Sequence, residues 1–594
     1  MFLKATREEV VEKFSSLSLG GEWRDVGVNQ IQLRHAAGGV VNWYSSSGKI
    51  VIQGKRSEIP KLRAKVQEIL ESKNLDPKKD VEKILPVAVE IPFFAKEIVR
   101  ASKIISYESD FDSELVIGLV GAVGTDLDAV HKIIKERLSI FGYTTNEIKV
   151  SKDIISNIVD FKPEDSFDRI NRLMTEGNNI RRNTGDFSVL GKAAAARISE
   201  FRTNENGGQE AAPLRRHAFV ISSLKHPDEV QALRKIYSHG FFLIGVYADE
   251  SRRRTYLEKN KDISSDNTTI LINRDVDESE KFGQHTRDTY HLSDFFINYG
   301  GNNDRFHNDI WRTIDLIFGK PFVTPTFDEF AMFMAFSASL RSADLSRQVG
   351  AVVAKNNAIV ATGANDVPKF GGGLYWPGYV NEEIQDAPGG RDYMNIGDTN
   401  VLERNEIIEN IVSAIPEEQK ETVRTILKKS KLKNITEYGR VVHAEMEALL
   451  SCARENIGTK SADLYCTTFP CHNCAKHIIA SGIRRVVYVE PYPKSKALEF
   501  HKDSITLKMD EKEKVLFEPF VGVGPRSFFN LFSTNLGSGY PVVRKEEDGT
   551  TAKWDQHESR LRMQMLPTSY IDRETNAADE VNQLLKKMEK ENGN

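Results

Sequence analysis

The chain has 594 residues, too many for one domain, so two to four domains are expected. A hydrophobic content of 40% with 28% charged residues is that of an ordinary globular protein. Lys plus Arg at 81 against Asp plus Glu at 85 leaves a net charge of -4, which excludes binding of nucleic acid through bulk charge alone. No charged start followed by an apolar stretch marks a secretory signal, and no long uncharged apolar run marks a membrane span, so a cytoplasmic protein is expected.

Residues 1–100 read as a small α+β module. Val40-Val41-Asn42-Trp43-Tyr44 and Lys49-Ile50-Val51-Ile52-Gln53 are strand-like runs joined by Ser45-Ser46-Ser47-Gly48, and a helix is predicted from Pro60 to Ser72. The basic cluster Lys55, Arg56, Lys61, Arg63 and Lys65 suits either phosphate contact or a solvated helix face.

A second region, 112–320, opens with the buried strand Leu115-Val116-Ile117-Gly118-Leu119-Val120 running into Gly121-Ala122-Val123-Gly124-Thr125-Asp126 and a predicted helix, Leu127 to Phe141. Glycines at such a turn let backbone N–H groups approach phosphate at a helix N-terminus, which makes Gly118, Gly121, Gly124 and Thr125 candidate nucleotide-binding residues. A complete loop ends in Gly-Lys-Ser/Thr, and Asp126, Leu127 and Asp128 stand there instead. Ala218 to Leu224 is a strand ending in serines where a magnesium-binding acid is usual, and Phe241 to Ala248 is another, followed by Arg252-Arg253-Arg254. The alternation predicts a parallel sheet. It resembles P-loop nucleotide kinases, degenerate at both catalytic motifs, which implies nucleotide sensing or scaffolding without phosphoryl transfer. Between the strands, Arg202 to Glu210 is polar and glycine-containing and is predicted to be a mobile loop.

A third region, 324–535, begins with a predicted helix, Phe327 to Leu340, and a strand pair, Val349–Ala354 and Ala358–Gly363. An insertion of about seventy residues follows Asn365, including a helical stretch from Leu402 to Lys433; a loop this long suits a lid or a subunit contact. Then comes the chemistry. His443-Ala444-Glu445 opens an apolar run read as a helix, and after a short strand, Leu464 to Thr467, Pro470-Cys471-His472-Asn473-Cys474 opens another. One imidazole, two thiolates and a carboxylate in this pattern form the signature of a zinc-dependent base deaminase. His443, Cys471 and Cys474 are the expected Zn2+ ligands, leaving a fourth position open for water. Zinc lowers the pKa of that water enough to supply hydroxide to C4 of a cytosine, and Glu445 is the expected proton carrier. A lone Cys-x-x-Cys can instead be a redox pair, and a lone His-x-Glu arises by chance; the joint pattern is far less accidental. Cys452 and Cys466 are expected to be buried core thiols.

Ser346-Arg347-Gln348-Val349-Gly350-Ala351, Gly363-Ala364-Asn365 and the zinc motifs together resemble the deoxycytidylate deaminase family. The resemblance implies that Asn365 contacts the deoxyribose, that Arg347 lies near the phosphate, and that Ala444 and Tyr492 adjoin the nucleotide. The acidic partner usual beside that tyrosine is replaced around Lys494. With the degenerate P-loop region in front, the whole resembles the bacterial anti-phage dCTP deaminases. That likeness implies conversion of dCTP and dCMP to uracil nucleotides, depletion of dCTP during infection, a homo-oligomer, and restraint by a regulatory RNA or a nucleotide effector. The expected fold class is therefore multidomain α/β: a small α+β module, a P-loop kinase-like parallel-sheet domain, a cytidine-deaminase-like α/β/α domain, and a charged tail, 536–594. In that tail Val581, Leu584, Leu585 and Met588 fall at helical spacing. Two other readings stay open: a deaminase acting on cytosine or adenine within nucleic acid, and a regulatory binding protein with a dormant zinc site.

Overall fold

The computed structural model describes Val10, 23–27, 30–34, 39–44, 49–54 and Val66 in a first compact unit, Met1–Tyr107, and 113–159, 161–207, 213–276, 283–300, 303–395, 397–435, 437–492, 495–565 and 567–592 in a second, Glu108–Asn594. The first unit holds an antiparallel meander, β1 (Trp23–Gly27), β2 (Gln30–Arg34), β3 (Gly39–Tyr44) and β4 (Lys49–Gly54), in sequential order. Ile31, Leu33, Val41, Trp43 and Ile50 pair across these strands and are buried, as period-two alternation requires. The first two strands are short and polar, and only the β3–β4 hairpin was legible in the sequence. The predicted helix from Pro60 and its basic cluster lie outside the described residues, apart from Val66, which is helical and buried.

Among the described residues the second unit contains two six-stranded sheets and one two-stranded hairpin. The first has five parallel strands, β5 (Leu115–Gly121), β6 (Thr144–Lys149), β7 (His217–Ser222), β8 (Phe241–Tyr247) and β9 (Phe295–Asn298), in the order β9-β8-β5-β7-β6. The central strands are apolar without interruption because helices cover both faces. Leu115, Ile117 and Leu119 face α1 (Leu127–Ile140) and Asn303–Ile317, whereas Val116 and Val120 face α2 (Val189–Glu205).

The mobile loop predicted from Arg202 to Glu210 does not start at Arg202: Arg202 to Glu205 form the last turn of α2, and residues 208–210 lie outside the described residues. Arg202 is fully buried between Glu114, at 3.0 and 2.9 Å, and Glu574. A buried guanidinium needs such partners, and this one found them 88 and 372 residues away in sequence.

Two helices, α3 (Asn303–Ile317) and α4 (Phe327–Ser339), lead into the second sheet. Its order is β11-β10-β14-β15-β17-β16, from β10 (Gly350–Lys355), β11 (Ala358–Ala364), β14 (Asp463–Thr468), β15 (Arg485–Glu490), β16 (Ile505–Thr506) and β17 (Val515–Pro519); β12 (Gly378–Val380) and β13 (Glu383–Gln385) form a separate hairpin. β10 is antiparallel to β11 and β14, while β14, β15, β17 and β16 run parallel. Alternation along β10 divides the core: Val352 and Ala354 meet α4, and Ala351 and Val353 face the opposite layer. The insertion carries α5 (Thr399–Ser413) and α6 (Lys420–Lys429), separated at Pro416, then a tight turn, Lys431–Asn434. The single helical stretch expected there is thus broken where proline cannot continue a helix. Its two ends are clamped together by backbone hydrogen bonds between Asp366 and Val442, at 3.3 and 3.0 Å.

Opposite α4 lie α7 (Ala444–Arg454) and α8 (His472–Ala480). Gly363 explains how α7 comes so close to β11: a Cβ there would sit 2.1 Å from the Ala444 carbonyl oxygen and 2.5 Å from the Ala448 nitrogen. The last strand, β18 (Gly522–Val523), leaves the second sheet's region and pairs antiparallel with β9, extending the first sheet. The tail also belongs to that first layer, since α9 (Pro567–Asn592) buries Tyr570, Ala577 and Val581 against α2. The chain is multidomain α/β with parallel-sheet layers. Among the described residues no helix is long and apolar enough to cross a membrane.

Candidate metal centre and its cleft

His443 is the N-cap of α7 and Cys471 the N-cap of α8, so the two helix starts converge on one point. The Cys471 sulfur accepts the Cys474 N–H at 3.4 Å, satisfying one of the donors left over at a helix N-terminus. His443 Nδ1 lies 3.3 Å from Cys474 Sγ and 3.4 Å from Cys471 Sγ, and all three ligand atoms fall within 4.8 Å of one another. A tetrahedral zinc with ordinary Zn–S and Zn–N bonds needs nitrogen and sulfur about 3.6 Å apart, so this donor set fits the ion.

The protons of the trio sort by hydrogen bonding. Cys471, hydrogen-bonded to Cys474 and His443, is driven down to about 3. Cys474 is pushed well above the usual thiol range by its bond to Cys471 and by burial, while the bond to Cys471 lifts His443 to about 9. A dication among them would hold both sulfurs as thiolates and the imidazole neutral. Glu445, one residue into α7, is 4% exposed, and burial raises its carboxyl above the ordinary carboxylate range.

His443, Glu445 and Cys471 line a cleft of about 650 Å³ whose wall also includes Arg347, Asn365, Ala444 and Tyr492, and the fully buried Cys474 lies against His443, so the structure brings the expected residues of this site together. Arg347 lies 3.3 Å from Glu490 and stacks on Tyr492 at 4.9 Å. Asn365 spends part of its carboxamide on the chain: Oδ1 accepts from the Val349 N–H at 2.6 Å and Nδ2 donates to the Arg347 carbonyl at 2.8 Å. It thereby fixes the loop that carries Arg347. Lys494 lies outside the described residues. Cys452 and Cys466 are fully buried in the core of this layer. The cleft also includes residues the sequence reading missed: Lys496 after β15, and Asn400, Lys431 and Lys433 from the insertion. For the three insertion residues the only sequence signal was the length of the insertion.

The glycine-rich turn after β5 borders a separate cavity of about 370 Å³, with Gly121, Gly124 and Thr125 on its wall. Gly118 does not belong to it. That residue sits inside β5, where a Cβ would meet Leu224 and Phe241 at 2.8 Å, so its smallness serves sheet packing. The Val123 N–H donates to Asp275 at 3.0 Å, and Asp126 caps α1 through the Ala129 N–H at 3.1 Å. Two of the protein's own carboxylates therefore take N–H groups of the kind that phosphate oxygens use at such a turn. Lys225, just beyond β7, donates to the Gly121 carbonyl at 2.8 Å and pairs with Asp275 at 3.2 Å.

The family model for the cytidine and deoxycytidylate deaminase zinc-binding region matches residues 325–490. The chain is 32% identical over 169 residues to the deoxycytidylate deaminase of Enterobacteria phage T4, covering 27% of this chain and 77% of that protein. It belongs to the deoxycytidylate deaminase family. With the deoxycytidylate deaminase of Schizosaccharomyces pombe it shares 29% identity over 285 residues, 47% of this chain and 72% of that one. A crystal structure of a cyanophage S-TIM5 dCMP deaminase in complex with dCMP and dUMP aligns at 20% identity with a TM-score of 0.20, covering 33% of this chain and 99% of that one. The deoxycytidylate deaminase match, 325–490, spans α4 to β15 and includes the whole metal centre; the glycine-rich turn lies outside it.

Proposed function

We propose that the chain is a zinc-dependent hydrolase that converts deoxycytidine nucleotides, dCTP and dCMP, to the uracil nucleotides and ammonia. The observation that carries this reading is the convergence of His443, Cys471 and Cys474, with His443, Cys471 and the buried Glu445 lining one cleft. A zinc ion held by those three residues would supply a water of pKa near 7 as nucleophile. Glu445 would take one proton of that water and deliver it to N3 of the cytosine, then carry the second, from the oxygen now on C4, to the amine that leaves. Water adds oxygen and ammonia departs, so the ring gains a carbonyl with no change of oxidation state. Asn365 anchors the loop of Arg347 while presenting its remaining amide valence toward the sugar. Glu490 and Tyr492 hold the Arg347 guanidinium, whose charge suits the first phosphate.

The glycine-rich half is read as a sensing or scaffolding layer, where a nucleotide or a regulatory RNA would act as effector; the carboxylates at its turn speak against phosphoryl transfer. Its pairing with a deaminase half supports a cytoplasmic homo-oligomer that depletes dCTP in phage-infected cells. Expression in a sensitive host should then lower phage plating, and a Glu445→Ala chain should not.

The deciding experiment incubates the purified chain with dCMP, dCTP, CTP and a cytosine-containing oligonucleotide, with Glu445→Ala as control, and identifies uracil products by chromatography. Turnover of the deoxynucleotides alone is expected. Turnover of the oligonucleotide alone would move the activity to nucleic acid.

A further inference from the structure

Four cationic side chains line the cleft above the metal centre: Arg347, Lys431, Lys433 and Lys496. Two are already engaged, Arg347 with Glu490 at 3.3 Å and Lys496 with Glu499 at 2.5 Å. Acids on the same wall are engaged as well. Asp344 accepts the N–H groups of Ser346 and Arg347 at 2.9 and 3.0 Å, Asp392 meets Arg440 at 3.1 Å, and Asp398 caps α5 through the Val401 N–H at 3.1 Å. Lys431 and Lys433 pair with no carboxylate among the described residues. Both project from the turn Lys431–Asn434, and both are exposed.

The backbone beneath them is held from several sides. Ser430 caps the turn through the Leu432 N–H at 3.2 Å, Arg404 of α5 donates to the Lys433 carbonyl at 2.6 Å, and the Asp366–Val442 clamp closes the insertion next to His443. Two ammonium groups with no ion-pair partner among the described residues are thus carried on a fixed support at the wall of this cleft; Glu499, the carboxylate that feels Lys431, is already held by Lys496. A lysine is a compact, mobile point charge suited to phosphate oxygens, and like-signed charges facing one cleft raise the local concentration of polyanions.

We propose that Lys431 and Lys433 read the phosphates beyond the first, so that the insertion makes this cleft selective for the deoxycytidine triphosphate over the monophosphate. The proposal rests on the deaminase reading above and assigns its specificity. One nucleotide spans it: the base lies at Glu445, the first phosphate at Arg347 and the outer phosphates at the insertion turn.

The test compares the full-length chain with the double variant Lys431→Ala/Lys433→Ala and its charge-retaining counterpart, Lys431→Arg/Lys433→Arg. Measured quantities are kcat and KM for dCTP and dCMP. Dissociation constants of both nucleotides are also measured by calorimetry in the Glu445→Gln background, which needs no turnover. The ratio of kcat/KM for dCTP to that for dCMP should fall about tenfold or more in the alanine variant, mainly through KM, and survive in the arginine variant. The dCTP preference in binding should fall in parallel. An unchanged ratio, or equal losses on both nucleotides, overturns the assignment while leaving the deaminase reading intact. Loss of oligonucleotide binding with an unchanged ratio would overturn it in favour of a nucleic-acid contact. If neither nucleotide binds or turns over in the wild-type chain, the deaminase reading falls first and the assignment with it.

Discussion

Replacing Glu445 by glutamine keeps the volume of a side chain that is 4% exposed and removes its charge and its proton site. The other acids of the cleft, Asp344, Asp392 and Asp398, are tied to N–H groups or to Arg440, so none is free to take over the proton relay. General acid–base catalysis contributes 10² to 10⁴ in rate, and one carboxylate serving every proton transfer of the reaction belongs near the top of that range. A loss of about 10⁴ in kcat follows, on the order of 5 kcal/mol of barrier. Stability should move the other way. Burial already raises the Glu445 carboxyl above its ordinary range, so the charge opposes folding there, and neutral glutamine removes that opposition. The assays are steady-state turnover of dCMP and dCTP, metal analysis and thermal unfolding. Turnover should collapse, zinc should stay, and the melting temperature should hold or rise. Retention of turnover within tenfold of wild type would refute the proton relay; loss of zinc would show Glu445 to be a ligand.

Cys474→Ala should strip the chain of zinc and lower its melting temperature, because metal affinity at such a site is also folding energy; zinc content equal to wild type would contradict the ligand set. Arg202→Met leaves Glu114 and Glu574 facing each other in the core and should cost about 3 to 5 kcal/mol, read as a loss of thermal stability with the metal centre spared. No shift in unfolding would mean that the tail helix is held by apolar packing alone. Gly363→Val pushes a methyl-bearing carbon into the Ala444 carbonyl, and a displacement of α7 by about 1 Å should cost roughly a hundredfold in turnover. A Gly363→Val enzyme of normal activity would show that α7 can adjust without moving His443 and Glu445.

The metal centre was legible because its information is local: His443 and Glu445 within one turn, Cys471 and Cys474 within another, each at a helix start. The parallel strands were legible for a similar reason, since burial on both faces leaves continuous apolar runs such as Leu115 to Val120. What failed depends on partners far away. Arg202 sits in a polar stretch that reads as a loop, and only Glu114 and Glu574 make it a buried helix end. Gly118 shares the spacing of a phosphate loop, yet Leu224 and Phe241 claim the space it leaves. Lys431 and Lys433 look like any solvated basic run until the Asp366–Val442 clamp folds the insertion back onto the cleft. Likewise β18 is two residues long and carries no pattern of its own; Phe295 and Phe296 define it as a strand.

Dependence on zinc is decided by counting the metal in the purified full-length chain while following its turnover of dCMP and dCTP through removal and return of the metal. About one zinc per chain is expected, with loss of turnover as a chelator withdraws it and recovery when zinc is restored. Undiminished turnover by metal-free protein, or a full complement of zinc in a chain carrying both Cys471→Ala and Cys474→Ala, would contradict it.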